Sequence, residues 1–167
     1  VHTIPSLGFA FQEDERPGKF DPQKALALGV KEGPNFARLV QGESIKVGER
    51  TVTPELVLGP SRKGFRFVYS GDTAAGPELL EVSRNADVLV HEATVLSDLE
   101  EKAKEYGHST AKEAAVLARD ARVATLYLVH LSGRYEDPEA LLAEARGIFP
   151  NTVIPNDLDT FMLKSEK

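Results

Sequence analysis

The chain has 167 residues, of which 41% are hydrophobic, and a formal net charge of −6. This composition excludes an intrinsically disordered chain, and the length fits one modest domain or a piece of a larger one. Cysteine is absent, which excludes disulfides and thiolate metal sites, so any metal ion must be held by His, Asp or Glu. No apolar run approaches the roughly 20 residues that span a bilayer, so we expect no membrane partner, and the composition suits the cytoplasm.

The first predicted element is a short strand over residues 3–11, which an acidic run ends. The chain opens with Val1 and His2 and enters this strand at once, without an initial Met. We therefore expect the chain to be a piece of a longer protein.

Residues 13–63 contain many Pro and Gly residues, which predicts a segment that is structurally distinct from the rest of the chain. Asp21 and Pro22 predict the N-cap and first turn of a helix that Gly29 ends, and two short strands are predicted within 44–52. The segment holds nine Lys/Arg against eight Asp/Glu, a balance of +1, which leaves −7 for the rest of the chain. If the protein binds RNA, we expect binding through this segment. Ordinary surface charge explains these counts equally well.

From residue 65 onward strands and helices alternate, which is typical of the α/β class. The predicted strands are 65–70, 86–93, 123–130, 152–154 and 160–163. The predicted helices are 78–83, 97–106, 110–119 and 138–147.

Three chemically active residues follow apolar strands of this region. Asp72 comes after the strand that ends at Ser70, and His91 and His130 stand at the ends of the next two strands. Because ligands gather at the carboxyl ends of strands in open α/β sheets, we expect these side chains at one rim. For each residue taken singly, a polar side chain where the strand reaches water is an equally good explanation.

Four blocks of sequence follow one another in a fixed order. They are Ser70-Gly71-Asp72-Thr73, His91-Glu92-Ala93-Thr94, Gly107-His108-Ser109-Thr110 and His130-Leu131-Ser132-Gly133-Arg134-Tyr135. Together they resemble the motif series of ribonuclease Z, a metallo-β-lactamase-fold endonuclease. The family's HxHxDH motif is absent from this sequence, and Ala37 stands where the family usually has Gly.

The resemblance implies an α/β fold, the C-terminal half of a four-layer αββα metallo-β-lactamase sandwich. Residues 1–12 and 64–167 would belong to this half. Residues 13–63 would form an inserted, Gly/Pro-containing arm that binds tRNA.

The resemblance also implies the site residues. His2, Asp72 and His130 would be ligands of two zinc ions, and Asp72 is the carboxylate suited to bridge them. His108 would assist the leaving oxygen, because imidazole exchanges a proton near neutral pH. Glu92 would hold His108 in position.

Further residues are candidates for contact with the substrate. Arg134 and Tyr135 could face a phosphate or a stacked base, although a salt bridge and a packed ring explain them equally well. Gly33, Pro34 and Arg38 belong to the part of the sequence that resembles the tRNA-binding arm.

The implied function is that of a zinc-dependent endoribonuclease, which removes the 3′ trailer from precursor tRNA and leaves a 3′-OH on the tRNA. We expect the full-length protein to be a cytoplasmic homodimer and this chain alone to be inactive, because HxHxDH is missing. Two alternatives stay open: a non-catalytic RNA-binding or structural half-module, and another metallo-β-lactamase-fold phosphodiesterase.

Overall fold

The computed structural model describes residues 5–162, so the predicted ligand His2 lies outside the described residues. The chain divides into two compact units. Val1–Gln12 and Phe65–Lys167 form the first, which we call the sheet unit, and Glu13–Gly64 form the second, the inserted unit. No helix in the described part of the chain is long and apolar enough to cross a membrane.

Seven strands and six α-helices are described. The strands are β1 (Phe9–Gln12), β2 (Ile45–Val47), β3 (Arg50–Val52), β4 (Arg66–Tyr69), β5 (Val88–Glu92), β6 (Thr125–Val129) and β7 (Thr152–Val153). The helices are α1 (Pro22–Ala27), α2 (Pro34–Val40), α3 (Pro77–Ser83), α4 (Glu100–Tyr106), α5 (Ala111–Ala121) and α6 (Glu139–Arg146).

The sheet unit contains a five-stranded mixed sheet in the order β1-β4-β5-β6-β7. The edge strand β1 runs antiparallel to β4, and the four strands from β4 to β7 are parallel. The carboxyl ends of β4, β5 and β6 therefore meet at one edge of the sheet. This edge is where an α/β sheet offers a ligand site.

Helix α5 packs against one face of the sheet through a stripe of small residues. Its buried residues are Ala111, Ala114, Ala115, Leu117, Ala118 and Ala121. Because these positions recur at helical spacing, they form one apolar face that contacts Leu89, Leu126 and Leu128 of the strands. A capping box at Thr110 and Glu113 sets the start of the helix, so the residues just before it have a fixed position.

The opposite face of the sheet is apolar and only partly covered. Phe161 packs edge-on against Tyr127 of β6, with ring centroids 4.8 Å apart. On the edge strand, Phe9 and Phe11 are each 63% exposed. The predicted strand at 160–163 is not formed over residues 160–162, because this segment contacts the sheet through Phe161 instead of pairing with it.

The inserted unit has a hydrophobic core of its own. The core residues are Ala25, Val30, Leu39, Ile45, Val52 and Val57. The Asp21 side chain caps α1 by accepting the Lys24 N–H at 3.0 Å, and β2 and β3 form a hairpin. Helix α2 was not among the predicted elements. It begins at Pro34, directly after Gly33 with φ of +126°, and is too short to show a clear helical repeat.

Candidate metal centre and catalytic residues

Asp72 is held by a tight turn after β4. Gly71 has φ of +64°, and a Cβ atom there would lie 2.6 Å from the carbonyl oxygen of Leu7. Any other residue at position 71 would be strained, so the turn requires glycine. The Asp72 N–H donates to Ser6 Oγ at 3.0 Å, which ties the turn to the segment before β1.

His130 lies in the turn after β6 and has φ of +54°. This left-handed conformation is uncommon for residues other than glycine and is found repeatedly at functional sites. It brings His130 Nε2 to 3.4 Å from Asp72 Oδ2. The His130 ring also stacks on His108, with centroids 5.2 Å apart and an interplanar angle of 22°.

Glu92, at the end of β5, is fully buried and organises the site. Its carboxylate is contacted by five donors: Thr73 N and His108 Nδ1 at Oε1 (both 2.8 Å), and Thr94 N (3.3 Å), Thr94 Oγ1 (2.7 Å) and Ser109 N (3.1 Å) at Oε2. Three segments thus donate to one carboxylate: the loop after β4, the loop after β5 and the segment just before α5. The donors offset the free-energy cost of burying a carboxylate away from water.

The Thr94 hydroxyl determines which ring nitrogen of His130 carries a proton. It has one hydrogen, which it donates to Glu92, so it can only accept from the neighbouring imidazoles. His130 Nδ1 lies 3.1 Å from Thr94 Oγ1, and His108 Nδ1 lies 3.3 Å from it. Both Nδ1 atoms are therefore N–H donors. The lone pair of a neutral His130 is then on Nε2, the atom that faces Asp72.

Two groups of side chains could be considered as metal ligands. Glu92, His108 and His130 offer ligand atoms within 4.8 Å of one another. This group is a poor fit for an ion, because five donors already contact the Glu92 oxygens.

Asp72 and His130 do fit a metal ion. Their 3.4 Å separation is longer than a charge-assisted hydrogen bond of about 2.7–2.9 Å. Two tetrahedral zinc ligands, each about 2.0–2.1 Å from the ion, would lie about 3.3 Å apart. Carboxylate oxygen and the Nε2 lone pair are also ligands that zinc accepts. The third predicted ligand, His2, is outside the described residues.

His91 faces the core and not the rim. It is fully buried, and burial lowers the pKa of its imidazole. Its Nδ1 donates to the Glu92 carbonyl oxygen at 2.7 Å, and Nε2 has no hydrogen-bond partner among residues 5–162. The structure therefore separates His91 from the predicted rim residues Asp72 and His130.

The other candidate residues are distributed over both units. The Tyr135 hydroxyl accepts the Leu96 N–H at 3.0 Å and its ring packs against the core, whereas Arg134 is exposed. In the inserted unit, Gly33 and Pro34 form the start of α2, and Arg38 forms an exposed ion pair with Glu43 at 2.7 Å. Sequence reasoning gave no role to Thr94. The only available signal was its position two residues after Glu92.

A family model described as a beta-lactamase superfamily domain matches residues 39–131, more than half of the chain. The chain belongs to this superfamily. A metallo-beta-lactamase fold protein, YhfI from Bacillus subtilis, shares the fold with a TM-score of 0.50 at 22% identity, over 67% of this chain and 49% of that one. The predicted fold is thus confirmed, and membership of the superfamily implies metal ions.

The chain is also similar to curated relatives named Ribonuclease Z. It is 47% identical over 158 residues to that of Archaeoglobus fulgidus, covering 93% of this chain and 52% of the relative. It is 50% identical over 147 residues to that of Myxococcus xanthus, covering 87% of this chain and 48% of the relative. The predicted resemblance is confirmed, and the chain spans about half the length of the curated relatives it matches.

Proposed function

We propose that the chain is part of a zinc-dependent endoribonuclease that removes the 3′ trailer from precursor tRNA and leaves a 3′-OH on the tRNA. The observation that supports this is the Glu92–His108 pair stacked beside the Asp72–His130 pair at one edge of the sheet. This arrangement occurs in a chain that is 47% identical to a protein named Ribonuclease Z. It combines a proton carrier with metal ligands, a combination that can catalyse hydrolysis of a phosphodiester.

Asp72 and His130 would hold zinc, together with His2. A bound zinc pair supplies Lewis-acid charge near the phosphodiester and lowers the pKa of water. Asp72 has two carboxylate oxygens for two ions, whereas His130 has one lone pair to offer. Thr94 keeps that lone pair on Nε2, the nitrogen nearer to Asp72.

His108 would deliver the proton that the leaving 3′ oxygen needs. Its Nδ1–H is held by the Glu92 carboxylate at 2.8 Å, so Nε2 is the atom that carries the exchangeable proton. The ring is 20% exposed and the Glu92 carboxylate is fully buried. Glu92 is thereby shielded from the substrate, and its role would be to position His108.

The inserted unit would serve as the tRNA-binding arm of residues 13–63, with Gly33, Pro34 and Arg38 at its contact surface. Its own hydrophobic core supports this assignment, because it gives the segment a defined shape. The balance of +1 in an acidic chain also supports it. With tRNA as substrate, we place the full-length protein in the cytoplasm, as a homodimer with two zinc ions per site.

The proposal is tested by comparing two proteins: the chain alone, and the chain joined to the part of the A. fulgidus relative that it does not cover. Each receives zinc and a 3′-extended tRNA. The joined protein should cut after the discriminator nucleotide and leave a 3′-OH, and its Asp72→Ala variant should not cut. The chain alone should be inactive, since it spans about half of its relatives.

A folded, zinc-loaded joined protein that leaves the tRNA intact would contradict the proposal. Retained RNA binding in that case would favour the non-catalytic RNA-binding module. Hydrolysis of small phosphodiesters without tRNA cleavage would favour another phosphodiesterase of the same fold.

A further inference from the structure

A small cleft opens beside His108, between α4 and the loop that follows β6. Its volume is about 160 Å³. The lining residues that matter below are Lys102 and Tyr106 of α4, His108, and Ser132 and Arg134 of the loop. Asp72 and His130 do not line it, so the cleft is adjacent to the proposed metal ligands and distinct from them. The volume suits a phosphate group, with the rest of a ligand extending outside.

Two cations line this cleft, and neither has an acidic partner in the described part of the chain. Some exposed cations of the sheet unit do pair with carboxylates, in the pairs Arg84–Glu81, Lys104–Glu100 and Arg119–Asp120. Within residues 5–162, no carboxylate pairs with Lys102 or with Arg134. The rest of the chain outside 13–63 carries −7, so two unpaired cations around one cleft indicate an anion site.

The loop holds the guanidinium of Arg134 in a fixed position. Arg134 Nε donates to Ser132 Oγ at 3.2 Å, and the backbone N–H of Arg134 lies 3.5 Å from the same oxygen. Within residues 5–162 no hydrogen bond is formed by the two terminal nitrogens of the guanidinium, which leaves them for a ligand. A planar fork presented in this way suits the oxygens of a phosphate.

Tyr106 adds an aromatic surface to the same cleft. It lies four residues after Lys102 on α4, so the two side chains are on one face of the helix. The residue is 52% exposed. Cations for a phosphate beside an aromatic ring for a base are the features by which proteins bind single-stranded RNA.

We propose that this cleft is a nucleotide subsite for single-stranded RNA. Lys102 and Arg134 bind a backbone phosphate next to the one that is cut, and the base of that nucleotide stacks on Tyr106. The identity of the ligand as RNA rests on the proposed function. Binding in the cleft requires no metal ion and can be measured in the chain as it stands.

The test is calorimetric titration of the metal-free, 167-residue chain with uridine 3′,5′-bisphosphate at several salt concentrations. Lys102→Gln and Arg134→Gln should each weaken binding about 10-fold and reduce the slope of log K against log salt by about 0.7, the loss of one phosphate contact. Tyr106→Ala should weaken binding about 10-fold without changing the slope. Lys104→Gln, a cation of the same helix that does not line the cleft, is the matched control and should bind as the unsubstituted chain does.

The proposal is overturned if the unsubstituted chain does not bind at millimolar ligand, or if Lys102→Gln and Arg134→Gln bind normally while their ¹H–¹⁵N spectra show an intact fold. A loss for Lys104→Gln equal to that for Lys102→Gln would overturn it too, because binding would then reflect general surface charge. If the chain binds the ligand in the cleft but the joined protein does not cut tRNA, the proposed function is wrong and the subsite stands. If the joined protein cuts tRNA normally when Lys102, Tyr106 or Arg134 is replaced, the subsite is wrong and the proposed function stands.

Discussion

Replacing Thr94 by Val tests the central claim about how the site is organised. Valine has nearly the shape of threonine but no hydroxyl, so the change removes three hydrogen bonds with little change in packing. One is donated to the buried Glu92 carboxylate at 2.7 Å, and two are accepted, from His130 Nδ1 at 3.1 Å and from His108 Nδ1 at 3.3 Å. Thr94→Ser, which keeps the hydroxyl, is the matched control.

The expected loss of stability follows from the number of donors at Glu92. A hydrogen bond to a charged group contributes about 1.5–3 kcal/mol. Glu92 Oε2 would still accept the N–H groups of Thr94 and Ser109, so the carboxylate is not left unsatisfied. We therefore expect Thr94→Val to reduce the free energy of unfolding by about 2 kcal/mol, and Thr94→Ser by less than about 1 kcal/mol. Urea unfolding of the metal-free chain measures both.

A second measurement separates positioning from stability. In the unsubstituted chain at alkaline pH, ¹⁵N NMR should show His130 protonated at Nδ1. Thr94→Val removes the acceptor for that proton and should give a mixture of both tautomers, whereas Thr94→Ser should not. In the joined protein, loss of such a supporting residue should weaken zinc binding about 10- to 100-fold. An unchanged His130 tautomer together with unchanged stability would refute the reasoning.

Three further predictions concern the proposed activity and the chain as it stands. In the joined protein, His108→Ala should slow the chemical step by roughly 10²–10⁴ while zinc content, measured by atomic emission, stays intact; loss of zinc with activity would make His108 a ligand. Deleting residues 16–60 should be structurally feasible, because Arg16 N and Arg62 O are 2.9 Å apart. It should weaken tRNA binding in gel-shift assays far more than it slows cleavage of a small phosphodiester, and an equal effect on both would show that the inserted unit is not an arm. Finally, the chain alone should bind zinc weakly in calorimetry. Only Asp72 and His130 fit as ligands among residues 5–162, whereas tight catalytic zinc usually takes three protein ligands. Tight binding of two zinc ions would contradict this prediction.

The sequence by itself determined the alternation of strands and helices and the edge of the sheet at which the candidate site lies. The apolar runs that became β4, β5 and β6 were predicted within a few residues, because buried parallel strands are nearly continuous hydrophobic segments. The helix predicted at 110–119 is α5 (Ala111–Ala121), and Asp72 and His130 were predicted at the same rim, where they lie 3.4 Å apart. These features depend on local sequence and on the fixed geometry of parallel strands.

Only the tertiary structure decided what each side chain at that edge does. His91 and Glu92 are adjacent in the sequence, yet His91 faces the core while Glu92 joins three loops. Thr94 gains its role only because His108 and His130, far apart in the chain, bring Nδ1 atoms to one hydroxyl. Likewise, the cleft joins α4 to a loop that follows β6. Hydrogen-bond satisfaction and charge pairing are properties of groups brought together by folding, so no local pattern in the sequence could reveal them.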